Sequence, residues 1–269
     1  MISVAGNSGG SHLKGLDMDN KISDIKNEYD NTEISSLSDF VEKYSQDSRT
    51  SVQGMVKKAI KNLDKYNMEL ARIEKMKEYE RKYCEYEYIC GIDEVGRGPL
   101  AGPVVAGAVI LPKDCTILYV NDSKKLSEKK REELYDIIMD QAVSVGLGFV
   151  DNNRIDEINI LQATYEAMRQ AIGKLSVKPD LLLNDAVTIP EVLIKQVPII
   201  KGDAKSISIA AASIVAKVTR DRMMTELSDC YPEYDFAQNK GYGSAKHIEA
   251  IKKYGPTPIH RRSFISNFI

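Results

Sequence analysis

Two adjacent carboxylates, Asp93 and Glu94, are the residues whose type and position most clearly indicate chemistry. They end an apolar run that begins at Tyr88, and a second apolar run, Val104 to Leu111, follows a segment rich in glycine and proline. This order predicts a strand, a bend and a second strand. Adjacent residues of a regular strand point to opposite faces, so the two acids share a site only if the chain bends there.

Burying two carboxylates beside an apolar strand is costly unless a cation or several hydrogen-bond donors compensate their charge. A divalent metal ion is the simplest compensation, and a strand end whose acids face water is the alternative. The bend contains Gly96, Arg97 and Gly98. A guanidinium group and unobstructed backbone amides beside the acids are typical of a site that binds phosphate, which favours the functional interpretation.

Two further acids follow predicted strands later in the chain. Asp185 ends the apolar run that starts at Leu181, and Asp203 follows the apolar run Val197 to Ile200. Each acid alone is typical of a helix cap or a turn. Ligands collect at the carboxyl ends of the strands in open α/β sheets, so we expect all four acids to meet at one edge of a sheet.

Four carboxylates with no histidine or cysteine among them select a hard cation, Mg²⁺ or Mn²⁺. A pair of such ions activates water and stabilises the departing oxygen of a phosphodiester. The residues therefore predict metal-dependent phosphodiester hydrolysis.

The composition restricts the class of protein. The chain has 269 residues, a net charge of -2 and a pI near 6.0, so it does not coat nucleic acid through bulk charge. From Lys240 to the end, Glu249 is the only acid among several basic residues. The four cysteines show no metal-binding spacing, and no apolar stretch is long enough to span a membrane. We expect a cytoplasmic protein with no membrane attachment.

The pattern of apolar residues divides the chain into three parts. Residues 1–20 are small and polar, and we expect them to be disordered or to be added vector sequence. Residues 21–87 show helical spacing, which predicts one short and one long helix. So few elements are not expected to bury a core alone, so we expect this extension to pack on the main domain.

Residues 88–269 form the predicted main domain. Three early strands and two later strands that alternate with helices predict a mixed sheet covered by helices, an α/β fold. The predicted strands are Tyr88–Glu94, Val104–Leu111, Val143–Val150, Leu181–Asp185 and Val197–Ile200, and the predicted helices are Ser127–Met139, Ile160–Ile172, Ile207–Leu227 and Ala245–Lys253.

Several motifs in this domain, taken in order, resemble those of bacterial ribonuclease HII. They are Gly91-Ile92-Asp93-Glu94-Val95-Gly96-Arg97-Gly98-Pro99, Asp122-Ser123-Lys124-Lys125-Leu126, Asn159-Ile160-Leu161-Gln162-Ala163, Lys201-Gly202-Asp203-Ala204-Lys205-Ser206, Ala211-Ala212-Ser213-Ile214-Val215-Ala216-Lys217, Gly241-Tyr242-Gly243 and Tyr254-Gly255-Pro256-Thr257-Pro258-Ile259-His260. The resemblance covers about residues 88 to 264 and is more specific than any single motif.

The resemblance implies a ribonuclease H-like mixed five-stranded sheet flanked by helices, with a small helical N-terminal extension. It implies that Asp93, Glu94, Asp185 and Asp203 are the catalytic metal ligands. It also implies that Gly96, Arg97, Gly98 and Tyr242 recognise the 2′-hydroxyl of a ribonucleotide joined to DNA, and that cleavage falls on its 5′ side. The 2′-hydroxyl is the group that distinguishes RNA from DNA at a single position.

Four other positions match the family motifs less specifically. Ser123, Lys124, Lys205 and Lys217 are candidates to hold substrate phosphates, and helix surface or solvated loop is an equally good interpretation. His247 and His260 are interpreted as structural or surface residues rather than as catalytic ones.

The resemblance thus predicts an endonuclease that cuts RNA/DNA hybrids and DNA duplexes containing ribonucleotides, as in ribonucleotide excision repair. Type 3 ribonuclease H, which acts mainly on long hybrids, is the nearest alternative. A non-catalytic nucleic-acid-binding module on the same fold is another, although the presence of all four acids speaks against it. We expect a monomer, with a sliding clamp or a repair protein as a candidate partner.

Overall fold

The computed structural model describes residues 20–269. The expectation of disorder or vector sequence for residues 1–20 lies outside the described residues, except at Asn20. By their internal contacts the described residues form two compact units, one ending at Ala71 and the other running from Arg72 to Ile269.

The first unit is helical. Its helices are α1 (Ile22–Asn31), α2 (Leu37–Tyr44) and most of α3 (Thr50–Met76), which continues beyond the unit boundary. The prediction of two helices missed α1. The expectation that this region buries no core of its own is wrong, because Ile25 of the missed helix joins a cluster of buried side chains from α2 and α3. The buried members are Ile25, Leu37, Phe40, Tyr44, Val52, Val56 and Ala59.

A mixed five-stranded sheet forms the centre of the second unit, which confirms the predicted fold class. The strands are β1 (Ile89–Val95), β2 (Val104–Ile110), β3 (Ser144–Val150), β4 (Leu181–Asp185) and β5 (Lys195–Ile199), in the order β3-β2-β1-β4-β5. The first three strands pair antiparallel, whereas β1, β4 and β5 run parallel. The carboxyl ends of β1 and β4 therefore meet at one edge of the sheet.

Seven helices belong to the second unit besides the end of α3. They are α4 (Glu78–Lys82), α5 (Glu128–Gln141), α6 (Asn152–Gly173), α7 (Ile207–Cys230), α8 (Phe236–Asn239), α9 (Ala245–Tyr254) and α10 (Arg262–Ile265). Helix α6 begins earlier than its predicted start at Ile160. It kinks at Asn159, whose φ is 66° and whose side-chain oxygen accepts the N–H groups of Leu161 and Gln162. The apolar pattern after Asn159 therefore starts a new helical segment.

Helices α6 and α7 cover opposite faces of the sheet. The α6 side chains Ala163, Ala167 and Met168 pack on Ile92 and neighbours from β2, and α7 packs its small residues with α5 on the other face. Helix α7 approaches β1 very closely at Gly91, where an added Cβ would lie 2.0 Å from the carbonyl carbon of Ser208. Glycine at this position allows the first turn of α7 to pack directly against β1, two residues before Asp93.

The four cysteines, Cys84, Cys90, Cys115 and Cys230, are all free thiols. Between residues 20 and 269, no helix has both the length and the apolar character that crossing a membrane requires.

Candidate active site

Asp93 lies near the end of the central strand β1, opposite Gly107 of β2, and only 6% of it is exposed. Its Oδ1 accepts a hydrogen bond from the Glu94 N–H at 2.8 Å. Burial raises the pKa of Asp93 well above its ordinary value, and the charges of Glu94 and Asp185 raise it further. The nearby Ser213 hydroxyl, from α7, opposes this rise by stabilising the charged form. Asp93 is thus an acid in an environment that resists its negative charge.

Glu94 is the next residue of the same strand, and most of its side chain is buried. Burial is the main cause that raises the pKa of Glu94, and the charge of Asp185 adds to it. Arg97 acts against the rise, since its Nη1 lies 3.4 Å from Glu94 Oε1. The charge of Lys124 also favours the ionised carboxylate. The bend predicted after β1 therefore places both acids and Arg97 together.

Asp185 and Asp203 come from the two parallel strands beyond β1. Asp185 ends β4, and its Oδ1 accepts the Gly202 N–H at 2.7 Å. Asp203 lies in a turn of 3-10 helix, Gly202–Ala204, that follows β5. Burial raises the pKa of Asp203, followed by the charges of Asp122 and Asp185. The carboxyl ends of the parallel strands β1, β4 and β5 thus place all four predicted acids at one edge of the sheet, where the charge of Asp185 acts on the other three.

The chemistry of this group fits a divalent cation, because oxygen ligands alone suit Mg²⁺ and Mn²⁺ and a cation would relieve the mutual repulsion of the carboxylates. The described side chains are not, however, arranged as a complete ligand set in this structure. Among residues 20–269, no three Asp, Glu, His or Cys side chains converge closely enough to form a ready ligand set. Oxygens of Asp93, Glu94 and Asp185 are engaged with backbone amides or with Arg97.

A cleft of about 890 Å³ opens beside Asp93 and Glu94. The Gly-Arg-Gly bend forms one wall, and Tyr242, 42% exposed, contributes to the lining. A Cβ added to Gly98 would lie 3.8 Å from Tyr242 Cε1, so the bend and the tyrosine ring are close neighbours. The predicted sugar-recognition residues Gly96, Arg97, Gly98 and Tyr242 therefore share one cleft with two of the acids.

The four weaker candidates occupy different surroundings. Lys124 lines the cleft, and its charge reaches both Glu94 and Asp203. Ser123 also lines it, but its hydroxyl is bonded to that of Ser213 at 2.9 Å. Lys217 lines it with its Nζ held 2.7 Å from Asp221 Oδ1, and burial lowers its pKa. Lys205 does not line this cleft.

Instead, Lys205 borders a neighbouring groove of about 440 Å³ together with Lys75, Lys125 and Asn121. Ala204, the residue after Asp203, also lines this groove. Its lysines therefore offer positive charge next to the acidic group but outside the cleft.

Sequence reasoning missed two residues that lie beside the four acids. Asp122 lies close enough to Asp203 to raise its pKa, and Ser213 reaches Asp93 from α7. Both belong to motifs that are recognisable in the sequence, Asp122-Ser123-Lys124-Lys125 and Ala211-Ala212-Ser213. The motifs were a usable signal for both, but the contacts depend on how distant elements pack.

Comparison with known proteins agrees with the resemblance found in the sequence. Residues 90–267 match the sequence model of the family Ribonuclease HII, and residues 21–84 match that of the Ribonuclease HII N-terminal domain. A ribonuclease HII of Lachnoclostridium phytofermentans is 64% identical over 250 residues, which are 93% of this chain and 98% of that protein. One from Clostridioides difficile is 52% identical over 253 residues, 93% of this chain and 99% of that protein.

Solved structures share the fold of the second unit. Ribonuclease H2 from Pyrococcus horikoshii is 30% identical with a TM-score of 0.55, covering 67% of this chain and 98% of that one. Ribonuclease HII in a complex with PCNA from Archaeoglobus fulgidus is 28% identical with a TM-score of 0.55, covering 67% of this chain and 96% of that one. Ribonucleases of this family are metal-dependent enzymes that act on nucleic acid. The predicted family and fold are confirmed: the chain belongs to the ribonuclease HII family and is a nuclease, a hydrolase of the ribonuclease H type.

Proposed function

We propose that this enzyme hydrolyses the phosphodiester on the 5′ side of ribonucleotides embedded in duplex DNA, leaving a 3′-hydroxyl and a 5′-phosphate, and that it also degrades the RNA of RNA/DNA hybrids. The observation that carries the proposal is the single cleft in which Asp93 and Glu94 adjoin the Gly-Arg-Gly bend and Tyr242. Acids that suit phosphodiester hydrolysis lie there beside groups that suit recognition of one sugar.

In this proposal Asp93, Glu94, Asp185 and Asp203 hold divalent cations, Mg²⁺ or Mn²⁺. The raised pKa of three of these acids supports the assignment, since a bound cation would stabilise their charged forms. Divalent cations in such a site supply charge that activates the attacking water and stabilises the departing oxygen. Two ions correspond to the formal charge of four carboxylates.

The residues around the acids have separate roles in binding. The backbone of Gly96, Arg97 and Gly98 approaches the ribose, because glycine has no side chain to hold the sugar away. Tyr242 packs on the sugar or base with its ring and hydrogen-bonds through its hydroxyl. The positive charge of Lys124, beside both Glu94 and Asp203, attracts the substrate phosphate, with Lys217, Lys205 and Ser123 as further phosphate contacts.

We further propose that residues 21–87 form an N-terminal domain and residues 88–269 the catalytic domain; the two family matches, which meet between residues 84 and 90, support this division. The enzyme is proposed to act as a monomer in the cytoplasm, consistent with four free cysteines. A sliding clamp is a candidate partner, since the related Archaeoglobus protein was solved in a complex with PCNA.

A substrate panel tests the proposal. The panel contains a DNA duplex with one ribonucleotide, an RNA/DNA hybrid and an all-DNA duplex, each incubated with Mg²⁺, Mn²⁺ or a chelator. We expect metal-dependent cleavage of the first two substrates and none of the all-DNA duplex. Cleavage of the hybrid alone would instead assign the protein a type 3 preference for long hybrids.

Variants of the cleft test the sugar-recognition residues. Tyr242→Ala and Arg97→Ala are expected to reduce cleavage at a single ribonucleotide, because both side chains line the cleft. Tyr254→Ala is the matched control, since Tyr254 is also exposed but lines a different groove. Single-ribonucleotide cleavage that survived both cleft variants, while hybrid cleavage fell, would contradict the assignment.

A further inference from the structure

A buried arginine, Arg261, lies directly beneath the Gly-Arg-Gly bend. Its exposed fraction is 0%, and its guanidinium donates to three backbone carbonyls of the loop that follows β1. Nη2 lies 2.6 Å from the Gly96 oxygen, Nη1 lies 2.9 Å from the Arg97 oxygen, and Nε lies 3.0 Å from the Gly102 oxygen. The arginine is more than one hundred and fifty residues away in sequence, so this contact is purely tertiary.

Keeping a guanidinium charge at this place is energetically unfavourable. Burial lowers the pKa of Arg261 to about 9, and the charge of Arg220 also lowers it. Within the described residues Arg261 has no carboxylate at ion-pair distance, so neutral carbonyl dipoles are what compensate its charge. The centre of the Phe264 ring lies 5.2 Å from the guanidinium carbon, but every hydrogen-bond acceptor of Arg261 is a backbone carbonyl, which indicates that the geometry of those carbonyls matters.

Because the peptide unit is planar, the direction of each carbonyl fixes the direction of the N–H group of the next residue. The C=O and N–H of a trans peptide point in opposite directions, and the chain contains no cis peptide among its described residues. Drawing the Gly96 and Arg97 carbonyls down to Arg261 therefore turns the N–H groups of Arg97 and Gly98 away from it. Both residues line the cleft, and within residues 20–269 neither N–H has a protein acceptor.

We propose that Arg261 is a positioning residue that aims the backbone N–H groups of Arg97 and Gly98 into the cleft, where they contact the ribose of the substrate. This inference rests on the proposed recognition of an embedded ribonucleotide. It extends the recognition site to a residue of the C-terminal segment that never touches substrate. The segment is held in place by a bridge between Ala101 and His260 and by the hydrogen bond from the Arg261 N–H to the Leu100 oxygen.

A second buried arginine, Arg220 of α7, provides a matched control. It is equally inaccessible and donates to three carbonyls of the same region, those of Ala101, Pro103 and Lys240. The side chain of Arg220 also packs against Gly96, but it makes no hydrogen bond to the Gly96 or Arg97 carbonyl and so does not orient the Arg97 or Gly98 N–H. Replacing the planar guanidinium of Arg220 should destabilise the loop as much as replacing that of Arg261. It should not change the direction of the Arg97 and Gly98 N–H groups.

The test measures how strongly the enzyme prefers a ribonucleotide. Binding of a duplex with one ribonucleotide and of the matching all-DNA duplex is measured by fluorescence anisotropy in chelator, for the unaltered enzyme, Arg261→Lys and Arg220→Lys. A lysine keeps the charge but loses the planar fork that bridges two carbonyls. We expect the ratio of the two dissociation constants to fall about fivefold in Arg261→Lys, which corresponds to losing about one hydrogen bond, and to persist in Arg220→Lys.

The outcomes separate the inference from the function on which it rests. If the unaltered enzyme bound both duplexes equally, the proposed recognition of ribonucleotides and this inference would both be overturned. If the unaltered enzyme discriminated and Arg261→Lys discriminated as well, the inference alone would be overturned. An equal loss of discrimination in Arg220→Lys would also overturn it, since the effect would then reflect general loosening of the loop.

A second measurement avoids substitution of a buried residue altogether. Amide hydrogen exchange is followed in the unaltered enzyme with each of the two duplexes. We expect the N–H groups of Arg97 and Gly98 to exchange more slowly with the ribonucleotide-containing duplex than with all-DNA. Equal exchange rates at both amides would overturn the proposal.

Discussion

Acid pH is predicted to destabilise this enzyme through a pair of buried histidines. His247 and His260 lie Nε2 to Nε2 at 2.9 Å, and both are fully buried. The Thr257 N–H donates to His260 Nδ1 at 2.9 Å, so His260 carries its proton on Nε2 and donates it to His247. His247 in turn donates from Nδ1 to the backbone carbonyl oxygen of Tyr242 at 2.8 Å. A further proton on either ring would break this chain.

The size of the effect follows from the pKa of His260. Burial lowers this pKa from 6.5 to about 4, with smaller contributions from the charges of His247 and Arg262. At about 1.4 kcal/mol per pH unit, the difference corresponds to about 3 kcal/mol of folding free energy. Because the folded-state pKa is the lower one, the unfolded chain binds the extra proton first. The stability is therefore complete above the unfolded pKa of 6.5 and is lost as the pH falls towards about 4.

Urea unfolding followed by far-UV circular dichroism measures this loss, since the chain has no tryptophan for fluorescence. Between about pH 7 and about pH 4.5 we expect the histidine pair to account for about 2 kcal/mol of lost stability. A variant with both histidines replaced, His247→Gln with His260→Gln, is less stable at neutral pH but lacks this contribution. An identical pH dependence in the variant and the unaltered enzyme would refute the reasoning.

Three further predictions concern other parts of the second unit. Gly91→Ala is expected to cost at least about 3 kcal/mol of stability, because its Cβ would meet the Ser208 backbone at 2.0 Å, whereas Gly54→Ala, with open space around it, is expected to be neutral or stabilising in thermal melts. Asp93→Asn is expected to lower kcat about a thousandfold while raising the melting temperature, since it removes a repelled buried charge; a fall in both would contradict this account of the acids. Lys205→Gln is expected to reduce the salt dependence of duplex binding by about 0.9 in the log–log slope, and Lys178→Gln, at the opposite end of β4, to leave it unchanged.

The sequence predicted strands β1 and β4 of the sheet well, because these depend on local patterns. The strand that contains Asp93 and the strand that ends at Asp185 are short apolar runs bounded by turn residues. Their observed bounds lie within about a residue of the predicted ones. The prediction of β5 was less accurate. The strand begins at Lys195 instead of the predicted Val197, because only part of it is buried. Helix α1 was missed because it buries mainly one side chain, Ile25, within a polar stretch.

The supporting contacts of the site could not be predicted from local patterns. Arg261 is one of the several basic residues after Lys240, yet it is buried beneath the bend at Gly96. His260 was interpreted as a structural or surface residue, and the structure makes it structural through its bond to His247. Each contact joins segments that are distant in sequence, so only the packing of the helices and the C-terminal segment reveals it.

The position and chemistry of the cut test the central claim most directly. An end-labelled DNA duplex with one ribonucleotide is incubated with the enzyme in Mg²⁺ or Mn²⁺, and the products are mapped to the nucleotide and their ends identified. The account predicts one cut 5′ to the ribonucleotide, with a 3′-hydroxyl and a 5′-phosphate, lost in chelator and in Asp185→Asn. A cut on the 3′ side, a 2′,3′-cyclic phosphate product, or cleavage that persisted in chelator would contradict it.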